Sequence, residues 1–339
     1  MLLVYNVTKG ASGMKKGSLQ RFFPAILIIV SWLLMAVFGS KLANARLSQG
    51  IVQTTETPWV RYVMVGLGGF RGIISEILWL RATRLQEQGR YFELVQLTDW
   101  INALDPKAAD AWAFNAWNLA YNISAMIPDH NSRQKWVEAG ISLMRDKAIP
   151  ADPTTPSLYR ELGWLYQNKI GSSDDPAHIT YKLALAREVE SVQKGEQDSP
   201  KLDRSVVAEI ENRFGKIDWR LPQSHAIYWA WKGLALNPTG FELEALRRMV
   251  QQNLVVMITS GKFTGDTEKS IWSTEGAYEL LPDLMSYYEE GDLNNFGELK
   301  VYCIFLDAIS KKLLKAGKTG LAAIAIKRLQ ELGGIPKEE

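Results

Sequence analysis

The stretch SEILWLRATRLQEQGRYFELVQLTDWINALDPKA (residues 75–108), continued by ADAWAFNAWNLAYNI (residues 109–123), decides the fold. Its apolar residues return at helical spacing through Leu78, Leu85, Leu94, Ile101 and Leu104. Gly89 and the pair Asp105-Pro106 fall where two helices would have to turn, because glycine frees the backbone and proline cannot extend a helix. The pattern predicts paired helices in series, and so an all-α chain.

Composition agrees with that reading. Hydrophobic residues make up 47% of the chain and charged ones 22%, so a packed core is within reach. The 12 tryptophans gather in the helical segments, where large rings fill the gaps between helices. A net charge of +2 provides no basic field for nucleic acid, so no nucleic-acid partner is expected. The single Cys303 excludes an internal disulfide and a cysteine-rich zinc site.

Residues 1–21 carry Lys9, Lys15, Lys16 and Arg21 with no acidic residue, and read as a cytoplasmic basic tail. Residues 22–39 contain no charge, and as a helix they would be about 27 Å long, close to the hydrocarbon core of a bilayer. They are expected to form one transmembrane anchor. Ala43-Asn44-Ala45 matches the small-x-small site of a cleaved signal, but the apolar run is too long for that and Ser40-Lys41 interrupt it. The basic flank places the N-terminus in the cytoplasm and the bulk of the chain in the periplasm of a bacterial inner membrane. Residues 40–74 read as a linker and an amphipathic glycine-rich segment. Its glycines do not form a dinucleotide loop, since Arg71 stands where the third glycine of G-x-G-x-x-G belongs, and no cofactor is expected.

If Pro106 closes a unit of 34 residues, the unit opens at Ser75, and Ala82, Gly89, Tyr91 and Pro106 take signature positions of the tetratricopeptide repeat. Trp112 and Ala116 take the large and small positions of the next unit. Asp152-Pro153 then marks another end, and Tyr159, Leu162, Gly163 and Tyr166 follow the W-x2-L-G-x2-Y pattern. The chain thus resembles the tetratricopeptide (TPR) family. The resemblance implies a solenoid of helical hairpins over residues 75–192, a linker and helix at 193–217, and divergent helical repeats at 218–339. Residues 132–146 and 176–192 would supply the second helices of units two and three, and 222–238 would pair with 241–259.

In that family the first helix of each unit lines a groove that holds a partner protein. Carried onto this chain, the groove positions include Trp79, Thr83 and Gln86, then Ala113, Trp117 and Tyr121, then Arg160, Trp164 and Asn168, with Ala120 and Gln167 beside them. The Lys, Asn and Arg residues of the family's clamp for a terminal carboxylate are missing from most of these places. An aromatic groove favours an extended or apolar segment instead. Asn115, Asn118 and Asn122 share one helix face, and either bond the preceding repeat or hold an extended peptide.

No catalytic pattern stands out. None of His130, His178 and His225 is followed at i+3 or i+4 by another metal ligand, and no metal site is expected. The segment IDWRLPQSHAIYWAW (217–231) brings Asp218, Arg220, His225 and Tyr228 together, so an enzyme with a site near 213–231 is the alternative. The expectation is a membrane-anchored TPR-like scaffold, binding another cell-envelope protein in an assembly or secretion-type complex.

Overall fold

The computed structural model describes residues 29–31, 33–34, 37, 71–193, 202–260, 262–264, 271–273 and 276–336. The chain divides into two compact units, Met1–Asp105 and Pro106–Glu339. Among the described residues every regular element is a helix except one antiparallel hairpin that pairs β1 (Lys262–Thr264) with β2 (Ile271–Ser273), Phe263 opposite Trp272. The basic tail, the segment 40–70 and the charged linker 194–201 lie outside the described residues.

In the first unit α1 (Arg71–Glu87) and α2 (Tyr91–Leu104) are joined through Gly89, whose φ of 69° is one that side chains resist. Ala82, Leu85, Leu94, Leu97 and Ile101 are buried, as the helical spacing requires.

The second unit begins with α3, which runs as Ala109–Trp117, widens to i→i+5 bonding over Asn118–Ile123, and ends at Ser124–Met126. Helix α4 (His130–Leu143) starts on Asp129, whose carboxylate accepts from the Ser132 N–H at 2.7 Å, and continues through a widened Met144–Ala148. Helix α5 (Pro156–Trp164) widens in the same way over Leu165–Ile170. Helices α3 and α5 open alike. Trp112 Nε1 donates to the Pro106 carbonyl at 2.9 Å, and the Tyr159 hydroxyl donates to the Pro153 carbonyl at 2.9 Å. Pro106 to Pro153, Trp112 to Tyr159 and Trp117 to Trp164 share one spacing, wider than the 34 residues of the expected unit. The widened turns and the long α4 account for the excess.

Helix α4 lies close on α3 because small residues meet. A Cβ at Gly140 would sit 2.7 Å from the Ala116 carbonyl oxygen and 3.2 Å from the Ala120 Cβ. The next pairing departs from the expected order. Helix α6 (His178–Gln193) meets α4 and the end of α5, whereas α8 (Pro222–Leu234) runs antiparallel along α5. Tyr166 stacks on His225 at 5.0 Å, and Tyr159 meets Trp229 at 6.3 Å. Residues 222–230 are all buried, so α8 is a central helix, which an amphipathic α6 cannot be. Helix α7 (Arg204–Phe214) packs on α8, so residues 171–221 are inserted into the series. After the turn at Asn237-Pro238, α9 (Gly240–Ser260) packs on both α8 and α5. Helices α10 (Leu281–Glu289), α11 (Phe296–Lys315) and α12 (Thr319–Glu331) close the unit, with Tyr288 stacked on Tyr302 at 4.6 Å and Cys303 buried as a free thiol.

The insertion is pinned by one carboxylate. Asp175 takes the Lys169 ammonium at 2.6 Å, the Arg133 guanidinium at 3.2 Å and the Tyr181 hydroxyl at 3.2 Å. Burial alone would raise the Asp175 pKa, but bonds from Lys169 and the Ala177 N–H, with the charges of Lys169 and Arg133, hold it below its ordinary 3.8.

The structure does not support the expected transmembrane anchor. Among the described residues no helix is long and apolar enough to cross a membrane. The longest, α9 and α11, carry Glu242, Glu244, Arg247 and Arg248, and Glu298, Lys300, Asp307 and Lys311, which a bilayer would not accept. Most of residues 22–39 lie outside the described set, and the few described there are exposed. The inner-membrane placement with a periplasmic bulk, which rested on that span, falls with it.

Two stability outcomes follow from this packing. Gly140→Ala should cost about 1–3 kcal/mol by urea denaturation, because the methyl meets a carbonyl that cannot move, while Gly320→Ala, with open space around it, should be neutral or slightly stabilising. Asp175→Ala leaves the buried Lys169 ammonium and the partly buried Arg133 guanidinium uncompensated and should cost about 3–5 kcal/mol. The Asp175 contribution is present above its unfolded pKa of about 3.9 and is lost as pH falls through the lower folded value, so the wild type but not the variant should show it as acid sensitivity.

Candidate functional site

Helices α3, α5 and α9 lie side by side in the second unit, and aromatic rings mark their shared face. Ala116 and Gly163 are buried between helices, which turns the next residue of each helix outward. Those residues are Trp117 and Trp164, 39% and 37% exposed, with ring centroids 6.4 Å apart and planes within 7° of parallel. Trp117 Nε1 donates to Glu161 at 3.1 Å, and Glu161 holds Arg160 at 2.6 Å. Arg160 also bonds Glu242 at 2.9 Å and lies over the Phe241 ring at 5.7 Å, which ties α5 to α9. Burial pushes the Glu161 carboxyl up, against the opposing pull of Arg160 and Trp117. Further along, Gln167 donates to Gln252 at 3.0 Å and accepts from Asn253 at 2.8 Å. A cavity of about 260 Å³ opens between α5 and α9, bounded by Trp164, Phe241, Ala245, Arg248, Met249 and Gln252.

The expected groove residues are distributed unevenly. Trp79 is half-buried on α1 and Thr83 and Gln86 are exposed there, with the Thr83 hydroxyl bonded to the Trp79 carbonyl at 3.1 Å. On α3 and α5, Trp117, Trp164, Ala113 and Arg160 occupy the shared face or its edge. Tyr121 is half-buried, 5.4 Å from Trp117 and beneath the Lys169 ammonium at 4.9 Å, and burial pushes its phenol up to about 12. Asn168 turns back to the Trp164 carbonyl at 3.5 Å, and Ala120 is fully buried against Gly140. The widened turns begin at Asn118 and Leu165, so positions past the ninth of each unit no longer follow an ideal helix. Asn115 and Asn118 are buried inside the hairpin, and Asn118 accepts from Asn122 at 3.1 Å.

Sequence reasoning missed Phe241, Arg248 and Gln252, which α9 brings beside α5. Asn237-Pro238 repeats the punctuation of Asp105-Pro106 and Asp152-Pro153, and that signal would have marked α9 as the next helix of the series.

The segment 213–231 is a packing joint. Arg220 bridges Asp218 at 2.8 Å and Glu190 at 3.4 Å, Trp219 donates to Glu211 at 2.8 Å, and the Tyr228 hydroxyl accepts from the Asp203 N–H at 2.8 Å. His225 is 1% exposed, and its Nε2 donates to the Trp219 carbonyl at 2.9 Å, which sets the tautomer. Burial lowers its pKa to about 4, so the ring is neutral at physiological pH. Among the described residues no group of three or more His, Cys, Asp or Glu side chains is placed to hold a metal ion. No protein-family model matches the chain, and no curated protein matches it.

The buried imidazole has a pH signature. Between about pH 6.5 and 4 the unfolded chain takes a proton on His225 that the folded chain refuses, so stability falls as pH falls through that window, by on the order of 2–3 kcal/mol. Denaturation across this range should show a flatter dependence for His225→Phe than for the wild type.

Proposed function

We infer that the second unit is a TPR-like helical-repeat scaffold, and that the face of α3, α5 and α9 holds an extended or apolar segment of another protein. One observation carries the reading. Trp117 and Trp164 stand stacked and more than a third exposed, while the residues beside them are buried. Exposed aromatic side chains held in fixed geometry lose little entropy on binding and are the common anchors of protein interfaces. The ion pairs of Arg160 with Glu161 and Glu242 keep the face in one arrangement before a partner arrives. Asp218, Arg220 and Tyr228 are engaged with neighbouring elements and His225 is a neutral core ring, so this reading rests on binding rather than on chemistry at 213–231.

The test separates groove from core. Leu162 is fully buried, and Leu162→Ala should lower stability by about 2–5 kcal/mol. Trp164→Ala should leave the melting transition nearly intact and weaken partner capture by the immobilised full chain by about 2 kcal/mol or more. Capture that survives both Trp117→Ala and Trp164→Ala would remove the groove reading.

A further inference from the structure

A second cavity, of about 450 Å³, lies between α4 and α6 and shares no lining residue with the one between α5 and α9. The two helices run parallel there. Arg133 near the start of α4 bonds Asp175 just ahead of α6, and Arg145 beyond Leu143 lies in the field of Glu188 on α6. Each helix offers a stripe at helical spacing, Val137, Ile141 and Arg145 on one side and Tyr181, Leu185 and Glu188 on the other. Ala184, the short side chain beside the second stripe, leaves the space open, and Tyr166 and Ile170 at the end of α5 floor it. The slot is long and narrow. Tyr181 to Ser191 on α6 span about 15 Å at 1.5 Å per residue, so about 450 Å³ leaves a bore of about 30 Å², or about 5–6 Å across. A helix of about 10–12 Å diameter does not enter it, nor does an extended peptide, which takes about 4.8 by 10 Å in stacked sheets. A single unbranched hydrocarbon chain does, with its carbons about 4.0–4.5 Å from the apolar walls.

The polar groups select the head of that chain. Arg145 and Arg187 in the lining are matched by Glu138 and Glu188, so the slot favours no net charge. Arg145 is committed to Asp146 through Nε and Nη2, both at 3.0 Å, and to Ser142 at 3.2 Å, and so stands between the carboxylates of Asp146 and Glu188. Burial pushes the Tyr166 phenol up to about 12, against the pull of the Arg145 charge and bond, and it keeps its proton at physiological pH. A guanidinium has no acceptor, so in its bond with Arg145 the phenol oxygen accepts and the O–H is left to donate. We propose that the slot between α4 and α6 binds an unbranched aliphatic chain with a terminal hydroxyl, the chain along Val137, Ile141 and Leu185 and the hydroxyl between Tyr166 and Glu188. The ligand hydroxyl accepts from the Tyr166 O–H and donates to the Glu188 carboxylate. A carboxylate head can only accept and is repelled by Glu188 and Asp146, and an ammonium head can only donate and meets Arg145. The site is independent of the partner face of α3, α5 and α9.

Calorimetric titration of the full chain at neutral pH with 1-decanol, decanoate and decylammonium, each below the concentration at which it aggregates, tests the assignment. 1-Decanol should saturate at one molecule per chain and bind about tenfold or more tighter than either charged analogue. Ala184→Trp, which fills the bore, should abolish that binding while the melting transition stays within a few degrees of the wild type. Tyr166→Phe should weaken 1-decanol by about fivefold and leave decylammonium unchanged, because only the alcohol accepts from the phenol. Glu188→Gln, on the exposed rim, should narrow the preference for 1-decanol over decanoate. Trp117→Ala and Trp164→Ala should leave 1-decanol binding as it is. Binding that never saturates, a charged analogue that binds as tightly as 1-decanol, or 1-decanol binding that survives Ala184→Trp would overturn the proposal. If Ala184→Trp unfolds the chain, Glu188→Gln decides, and an unchanged preference over decanoate would overturn it equally.

Discussion

The close approach at Gly163 holds the second unit together. A Cβ there would lie 2.5 Å from Met249 Sδ and 3.3 Å from the Ala226 carbonyl oxygen, so α5, α8 and α9 converge on the one position without a side chain. Gly233 repeats the device from the other side, where a Cβ would meet Leu246 at 3.0 Å and Tyr159 Cβ at 3.2 Å. Such contacts let α8 lie along α5 at backbone distance and bury ring after ring between them. Without that contact α9 would not stand beside α5, and the shared aromatic face would end at Trp164.

Exposure of the two tryptophans follows from the same contact. A helix that presents its small residue to a neighbour must send the following residue roughly 100° round the axis. Ala116 and Gly163 face inward, so Trp117 and Trp164 face out together and stack in parallel. Their exposure leaves apolar area in water that folding alone would have buried, at about 25 cal/mol per Å². The ion pairs around Arg160 are mostly shielded from water, where desolvation offsets much of their attraction, and their stronger effect is to hold α5 and α9 in register.

The insertion 171–221 is compatible with this stack because its charges are satisfied locally. Asp175 gathers Lys169, Arg133 and Tyr181 at the end of α5, and Arg220 returns the chain to α6 through Glu190. His225 sits where the returning chain meets Tyr166, neutral and bonded to the loop that delivers it. These side chains look reactive when written in a row. In the folded unit they are joints between elements far apart in sequence.

Local pattern was enough for much of this. Helical spacing and the Gly89 and Asp-Pro punctuation located the helices at 130–148, 178–193, 222–234 and 240–260 to within a few residues, because turn chemistry and one-sided burial are written close together in the chain. The small positions Ala116 and Gly163 and the packed Leu162 and Tyr166 were equally legible. Pairing was not. Helix α6 follows α5 directly, yet α8 takes the place beside it, because α8 is apolar on every face and only the assembled core can cover it. The register past Asn118 and Leu165 depends on widened turns that no spacing rule announces, and it moved Ala120 inward and Asn168 back onto its own helix. The apolar run at 22–39 shows the converse limit, since length and hydropathy describe what a segment could do in a bilayer and no described helix meets that requirement. Sequence by itself determined where helices begin, end and turn. Tertiary structure alone decided which helix lies along α5 across the insertion, because that choice depends on close fits between residues scores of positions apart.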